Sequence, residues 1–410
     1  MKRTFDLIVI GGGAAGFMAA ITAAEHGIHS VCLLEATSKT LEKVRLSGGG
    51  RCNITNACWE PRDLVEHYPR GQKELLGPFS RFAAGDAMTW FSEKGLDLEI
   101  EIDGRIFPKS NSSLEVIKCL KSAALLAGVQ CFTNSKVESV KKNSDEKFQL
   151  ECRNNVSFNS KKILIATGGG PSGKKIAAQL GHKTIPSVPS LFSLQLNTLW
   201  LKTCAGIAVN EVNVSLVCNG KLFEQSGSML ITHWGLSGPV ILKLSAFAAL
   251  DLNSDKYKSK LYIGWSNNDI ETTKRILKKH RYKYASYTLK RHKPFNNIPN
   301  RIWLALLKSL KIEDQIRWAD LSKLQEENLC QNLAKNLHIV KGKGPFGEEF
   351  VTAGGINLKE VYLKSMESRI CKNLYFAGEI LNIDGVTGGF NFQHCWTSGW
   401  IAGKAIAGIS

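Results

Sequence analysis

An apolar run that breaks into glycines and restarts as an alanine-rich helix leaves a chain few folds to choose from. Phe5-Asp6-Leu7-Ile8-Val9-Ile10 has the length and branched apolar content of a buried parallel strand. Gly11, Gly13 and Gly16 follow at G-x-G-x-x-G spacing with Ala14 and Ala15 between them, and Phe17–Glu25 reads as the helix. That spacing gives a tight turn, then backbone bare enough to approach a pyrophosphate, then close helix-on-strand packing. The helix N-terminus adds free N–H groups and partial positive charge for the diphosphate. A second apolar run, Ser30–Leu34, ends at Glu35 and Ala36, where the Glu35 carboxylate can accept hydrogen bonds from a ribose. Strand, glycines, helix, strand and acid in this order predict an α/β chain whose Rossmann-like domain binds an adenine dinucleotide.

A chain of 410 residues has room for two or three domains, and 43% hydrophobic residues suit an ordinary globular core. The charge is less ordinary: 53 Lys and Arg against 36 Asp and Glu give a net +17, a field that favours a polyanionic partner. The eleven cysteines are scattered without a C-x-x-C pair, which argues against a metal site and against a secreted disulfide framework. The N-terminus enters a strand directly, without a signal-peptide pattern, and no apolar run approaches a membrane span. The expected setting is a reduced cytoplasm, with no membrane partner.

After Glu35 comes a loop, Lys43–Asn56, in which Gly48, Gly49 and Gly50 are flanked by Arg45, Ser47, Arg51, Cys52, Asn53 and Asn56. Three glycines can lay backbone N–H groups against a ligand while the polar side chains orient it. Downstream, the pattern predicts a helix over 81–94 and a hairpin over 98–107 turning at Asp103-Gly104. A helix over 112–127 is capped by Ser112, and strands follow at 129–133, 136–141 (with Val137) and 148–152. Lys162–Gly173 repeats the strand-to-glycine pattern, and Gly168, Gly170 and Gly173 again fit G-x-G-x-x-G. No acid follows at the required distance, so this strand is expected to rejoin the first sheet, with its Ala166-Thr167-Gly168 turn passing the same dinucleotide.

Pro186–Pro189 marks a change of character. Residues 191–265 alternate apolar and polar positions, with a hairpin at Asn219-Gly220 and a helix over 240–249, as a β-rich insert would. The stretch 266–344 reads as a basic helical insert: Thr272–Lys311 holds twelve Lys and Arg and no acid. Lys278, Lys279, Arg281, Lys283, Lys290 and Arg291 lie there among Tyr282, Tyr284, Tyr287, Phe295 and Trp303, a mix suited to phosphate contacts and base stacking. Residues 345–410 return to the first domain of 1–190 through strands at 350–356 and 373–381, the second running into Gly378-Glu379. The loop Asp384–Gly389 then leads through Phe390 and Asn391 into a small-residue helix. A helix N-terminus there would stabilise negative charge on a reduced flavin.

These blocks resemble the BaiN/RdsA-like family of FAD-dependent oxidoreductases. The stretches that carry the resemblance are Gly11–Gly16, Ser47–Asn56, Gly104–Pro108, Ala166–Gly169, Thr232–Pro239, Val351–Gly355 and Gly378–Gln393. It departs at Asn382, where the family pattern leads one to expect aspartate. The resemblance implies a glutathione-reductase-like flavoprotein: a split FAD domain interrupted by the two inserts, with NADPH or NADH as electron donor. It also implies one chemistry on two substrate classes, namely reduction of a conjugated C=C in a steroid-like acid, or of uridine to dihydrouridine in 23S ribosomal RNA. The acid-free basic run favours RNA. A scaffold that binds RNA and FAD without turnover is the alternative of another class. The candidate proton donors are Cys52, in a setting expected to lower its pKa beside Arg51, His233 in Thr-His-Trp-Gly, and His394.

Overall fold

The computed structural model describes residues 2–153, 155–344 and 351–409. Phe350, with which the strand expected at 350–356 begins, lies outside the described residues, as do positions 345–349 at the start of the returning segment. The chain forms two compact units, Met1–Ser187 with Thr352–Ser410, and Val188–Val351.

The first unit is built on a parallel sheet. Its strands are β1 (Lys2–Ile10), β2 (Val31–Leu34), β3 (Gln130–Phe132), β4 (Ser157–Ile165) and β5 (Leu374–Phe376), in the order β5-β4-β1-β2-β3. Every neighbouring pair among these is parallel; Leu7–Ile10, Val31–Leu34, Ile163–Ile165 and Leu374–Phe376 are buried, which is why those stretches read as apolar runs, whereas β3 is largely exposed. The repeat of the strand-to-glycine pattern resolves as expected, since β4 lies beside β1 with Ile8 opposite Ile163. An antiparallel hairpin, Val137–Lys142 with Phe148–Cys152, extends the N-terminal half of β4. Two helices matter for the site: α1 (Ala14–Glu25), which follows β1, and α2 (Phe390–Ile406), which packs on it. Small residues set that contact, because a Cβ on Gly399 would lie 2.7 Å from the Ala15 carbonyl oxygen.

The second unit is a closed six-stranded barrel with helices on it. Around the barrel run Leu194–Leu196, Gly235–Ser237, Lys221–Ile231, Ala208–Cys218, Lys260–Gly264 and Asn336–Lys343. The predicted hairpin at Asn219-Gly220 is present, with both residues at positive φ as a tight reverse turn requires. Asn336–Lys343, expected within the helical insert, is instead the strand that closes the ring between Lys260–Gly264 and Leu194–Leu196. The helices Ile270–Lys283, Asn300–Ser309 and Lys323–Ala334 share one apolar core with the barrel, in which Leu277, Trp303 and Leu329 meet Ile263 and Val340.

Candidate functional site

The parallel register brings the glycine turns of the first unit together. Ile10 pairs with Ile165, which pairs in turn with Phe376, so the turns after β1, β4 and β5 leave the sheet side by side. Gly11 and Gly16 are forced by close approach. A Cβ on Gly11 would lie 2.4 Å from the Ala166 carbonyl oxygen, and one on Gly16 would lie 2.0 Å from that of Gly11. Gly13, the residue before α1, has nothing within 4 Å of such a Cβ and leaves the helix N-terminus open. Glu35 directly follows β2: one carboxylate oxygen accepts from Gly12 N–H at 2.9 Å, the other from Thr37 N–H at 2.8 Å. The oxygen bound by Thr37 N–H also accepts from Thr37 Oγ1 at 2.9 Å, so the one bound by Gly12 keeps a second lone pair for a ligand. Ala36 is exposed beside it, and Val137 is buried at the start of its hairpin.

The triple-glycine loop is a run of left-handed backbone: φ is 56° at Gly48, 68° at Gly49 and 88° at Gly50. Only glycine adopts three such conformations in a row cheaply, and the turn they make exposes successive N–H groups as an anion-binding concavity does. Around it, Ser47 Oγ donates to the Val44 carbonyl at 2.8 Å, and Asn53 Oδ1 accepts from Ile106 N–H at 3.3 Å. Arg45 is exposed and pairs with Glu42.

Arg51 turns to Glu101 and Asn111 and lies 3.9 Å over the Phe107 ring. The electropositive setting expected for Cys52 is therefore absent. The thiol is completely buried, and that burial pushes it up to about 12, against a smaller opposing effect of a hydrogen bond with Ser47. Cys52 is a protonated, shielded thiol and no thiolate.

The C-terminal segment closes the site. Asp384 is buried and held by both arms of the Arg70 guanidinium. Nothing in the spacing announces Arg70, which lies 314 residues away. The Gly388 carbonyl accepts from Asn56 Nδ2 at 3.1 Å, and a Cβ on Gly389 would lie 2.6 Å from the Thr55 carbonyl, so this loop and the one from Ser47 to Asn56 are locked together. Gln393 adds to the lock by accepting from Thr55 Oγ1 at 2.6 Å. Phe390 stacks on His67 at 4.0 Å, a partner that no motif in the sequence announces. The Asn391 amide turns back on its own loop, bonding Gly385 N–H at 2.9 Å and the Gly385 carbonyl at 2.8 Å. His394 is fully buried and held neutral, down to about 4, by desolvation; its Nε2 donates to the Gly378 carbonyl at 3.2 Å.

A bound dinucleotide fits this arrangement. The open N-terminus at Gly13 and the turn at Gly48–Gly50 supply N–H groups for phosphate, and three buried polar atoms around the turns, Thr167 Oγ1, Asn382 Oδ1 and His394 Nδ1, have no hydrogen-bond partner among the described residues. Asn382 offers a neutral amide where aspartate is expected.

In the second unit, His233 is exposed and lines a cavity of about 330 Å³ with Gln195, Asn197, Lys202, Trp234 and Lys341. The helix Ile270–Lys283 buries Thr273 and Leu277, and its outer side carries two ridges at helical spacing, Lys274–Lys278–Tyr282 and Arg275–Lys279–Lys283. Among the described residues no carboxylate reaches these five cations within ion-pair distance. Arg281 is not one of them: it pairs with Glu326 at 2.5 Å and caps the Ala319 carbonyl, so it ties helices together. Lys290 pairs loosely with Asp314 at 3.4 Å, and Arg291 lies over Tyr287. The aromatics divide. Tyr282 is 91% exposed and Tyr287 is exposed, whereas Phe295 and Trp303 are core, which corrects their expected part in base stacking.

The family model for the HI0933-like protein Rossmann domain matches residues 5–405. The chain belongs to this family. Among curated relatives of this HI0933-like chain, the ribosomal RNA dihydrouridine synthase of Escherichia coli is 30% identical, covering 99% of this chain and 98% of its own. The 3-dehydro-bile acid delta(4,6)-reductase of Clostridium scindens is 28% identical over 97% of this chain and 98% of its own. Among solved structures, the 3-ketosteroid delta1-dehydrogenase of Sterolibacterium denitrificans covers 99% of this chain and 100% of its own at TM-score 0.53 and 13% identity. The HI0933-like chain thus has the Rossmann-type fold of FAD-binding flavoenzymes, as its motifs led one to expect. No helix among its described residues is long and apolar enough to cross a membrane.

Proposed function

We propose that the protein is an FAD-dependent reductase that uses NAD(P)H to convert uridine to dihydrouridine in ribosomal RNA. The observation that carries the RNA part is the outer side of Ile270–Lys283, where five cations with no carboxylate partner among the described residues and an exposed tyrosine form two parallel ridges. A small apolar substrate gains nothing from such a face, whereas each neutralised phosphate adds affinity by counterion release. The ribosomal RNA dihydrouridine synthases among its relatives support the same reading. When bound, FAD would supply hydride transfer from NAD(P)H to C6 of the conjugated pyrimidine, and the protein's part would be the proton delivered to C5. Gly11–Gly16, Glu35 and Gly48–Gly50 bind and orient the dinucleotide in this scheme.

Reversing Lys274, Lys278, Lys279 and Lys283 to Glu should weaken RNA binding and reduce the slope of log affinity against log salt by about 0.7–0.9 for each phosphate that is no longer neutralised. Flavin content should stay at the parent level. An unchanged slope would return the run to an ordinary solvated helix face.

Of the candidate donors we propose His233, since its imidazole is exposed and lines a cavity of the second unit, whereas Cys52 is sealed in the core. His233→Asn should slow substrate-dependent reoxidation by about 10²-fold or more with flavin reduction by NADPH intact, and Cys52→Ala should leave both rates near the parent. The reverse pattern would move the donor to Cys52.

A further inference from the structure

A carboxylate stands on the turn that packs against the first turn of α1, and one lysine answers it. Glu379 follows β5 in the turn Gly378–Ile380, and Gly378 presses on the first turn of α1: a Cβ there would lie 2.8 Å from Ala15 Cβ. The Glu379 side chain is only 12% exposed and makes a 2.6 Å ion pair with Lys43 Nζ, from the helix Glu42–Leu46 just before the glycine loop. The pair crosses the third turn as well, since a Cβ on Gly168 would lie 3.5 Å from Glu379 Oε2 and 3.8 Å from Lys43 Nζ. One salt bridge thus joins segments 336 residues apart beside the turns that follow β4 and β5.

The electrostatics of this arrangement are unfavourable without Lys43. The open end of α1 attracts an anion, but a largely buried carboxylate on the turn packed against that helix repels one, and repulsion is little screened where water is sparse. The side chain of Lys43 is 68% exposed, so it can shift between carboxylate and phosphate without unpacking anything. We infer that Lys43 is the charge-compensating residue of the cofactor site: it neutralises Glu379 so that the diphosphate of FAD can settle on the N-terminus of α1. The inference rests on the FAD reading above and concerns this chain's own charges.

The test is FAD affinity of the full-length apoprotein, measured by quenching of flavin fluorescence. Lys43→Met should weaken binding at least tenfold, and Lys43→Arg should keep it within a few-fold of the parent. Adding Glu379→Gln to Lys43→Met should restore affinity to within about threefold, because the amide keeps an acceptor and loses the charge. If the pair were only a strap between loops, Glu379→Gln alone would weaken binding as much as Lys43→Met, and the double substitution would rescue nothing; that result overturns the inference. Unchanged affinity in Lys43→Met overturns it too. Failure of the parent protein itself to bind FAD would instead sink the FAD reading, so the two failures are distinguishable. Thermal melts of each apoprotein show whether a variant that binds nothing is folded.

Discussion

A Gly16→Val protein should be recovered colourless and destabilised by on the order of 3–5 kcal/mol, above the ~1–3 kcal/mol usual for overpacking because main chain blocks the added carbon. The added Cβ would stand 2.0 Å from the Gly11 carbonyl oxygen, and the obstacle is main chain, with no flexible end to give way. Either the turn opens or α1 moves off β1, and both spoil the open helix end. Gly13→Ala is the control. A Cβ at Gly13 meets nothing within 4 Å, so this protein should fold near parent stability and lose affinity for FAD alone. Denaturant titrations with and without FAD separate the two effects. Equal stability of the Gly16→Val and parent proteins would contradict the close approach on which the site is built.

The second large effect is expected at Arg70. Arg70→Met removes the guanidinium that grips Asp384, whose carboxylate has no exposed side-chain surface. Breaking a buried pair from one side costs about 3–5 kcal/mol, whereas replacing both partners with apolar groups is often close to neutral. The double substitution Arg70→Met with Asp384→Leu should therefore recover most of the loss in unfolding free energy. Flavin retention should fall in the single variant, because the loop from Asp384 to Gly389 is anchored at that pair. A single variant as stable as the parent would reduce the pair to a surface contact.

What could be read from the residues was local. The β1 run, its glycines, α1 and Glu35 lie within 35 positions, and their roles follow from strand length, φ and the reach of one carboxylate. Ser112 as a helix cap and Asn219-Gly220 as a hairpin turn are likewise decided within a few residues, and both appear as expected, Ser112 Oγ accepting from Leu114 N–H. The illegible parts depend on distant partners. Nothing near Asn336–Lys343 says that it closes a barrel, because Leu196 opposite Val340 is the information and loop closure hides it. Cys52 beside Arg51 looks electropositive in one dimension, yet Arg51 leaves for Glu101 and Phe107 while the thiol turns into the core. Composition placed five aromatics in the basic run, but only burial separates Tyr282 from Trp303. Arg281 is indistinguishable from its neighbours in the sequence for the same reason: its acid, Glu326, sits on another helix.

The most direct measurement uses the protein reconstituted with FAD, reduced by NADPH without oxygen, and mixed with large-subunit ribosomal RNA from cells lacking the gene. Flavin absorbance follows reoxidation while mass mapping follows the RNA. The account predicts that RNA reoxidises the flavin and that one uridine gains two hydrogens. A reduced flavin that ribosomal RNA leaves untouched, but that a conjugated steroid acid reoxidises with loss of its double bond, would contradict it.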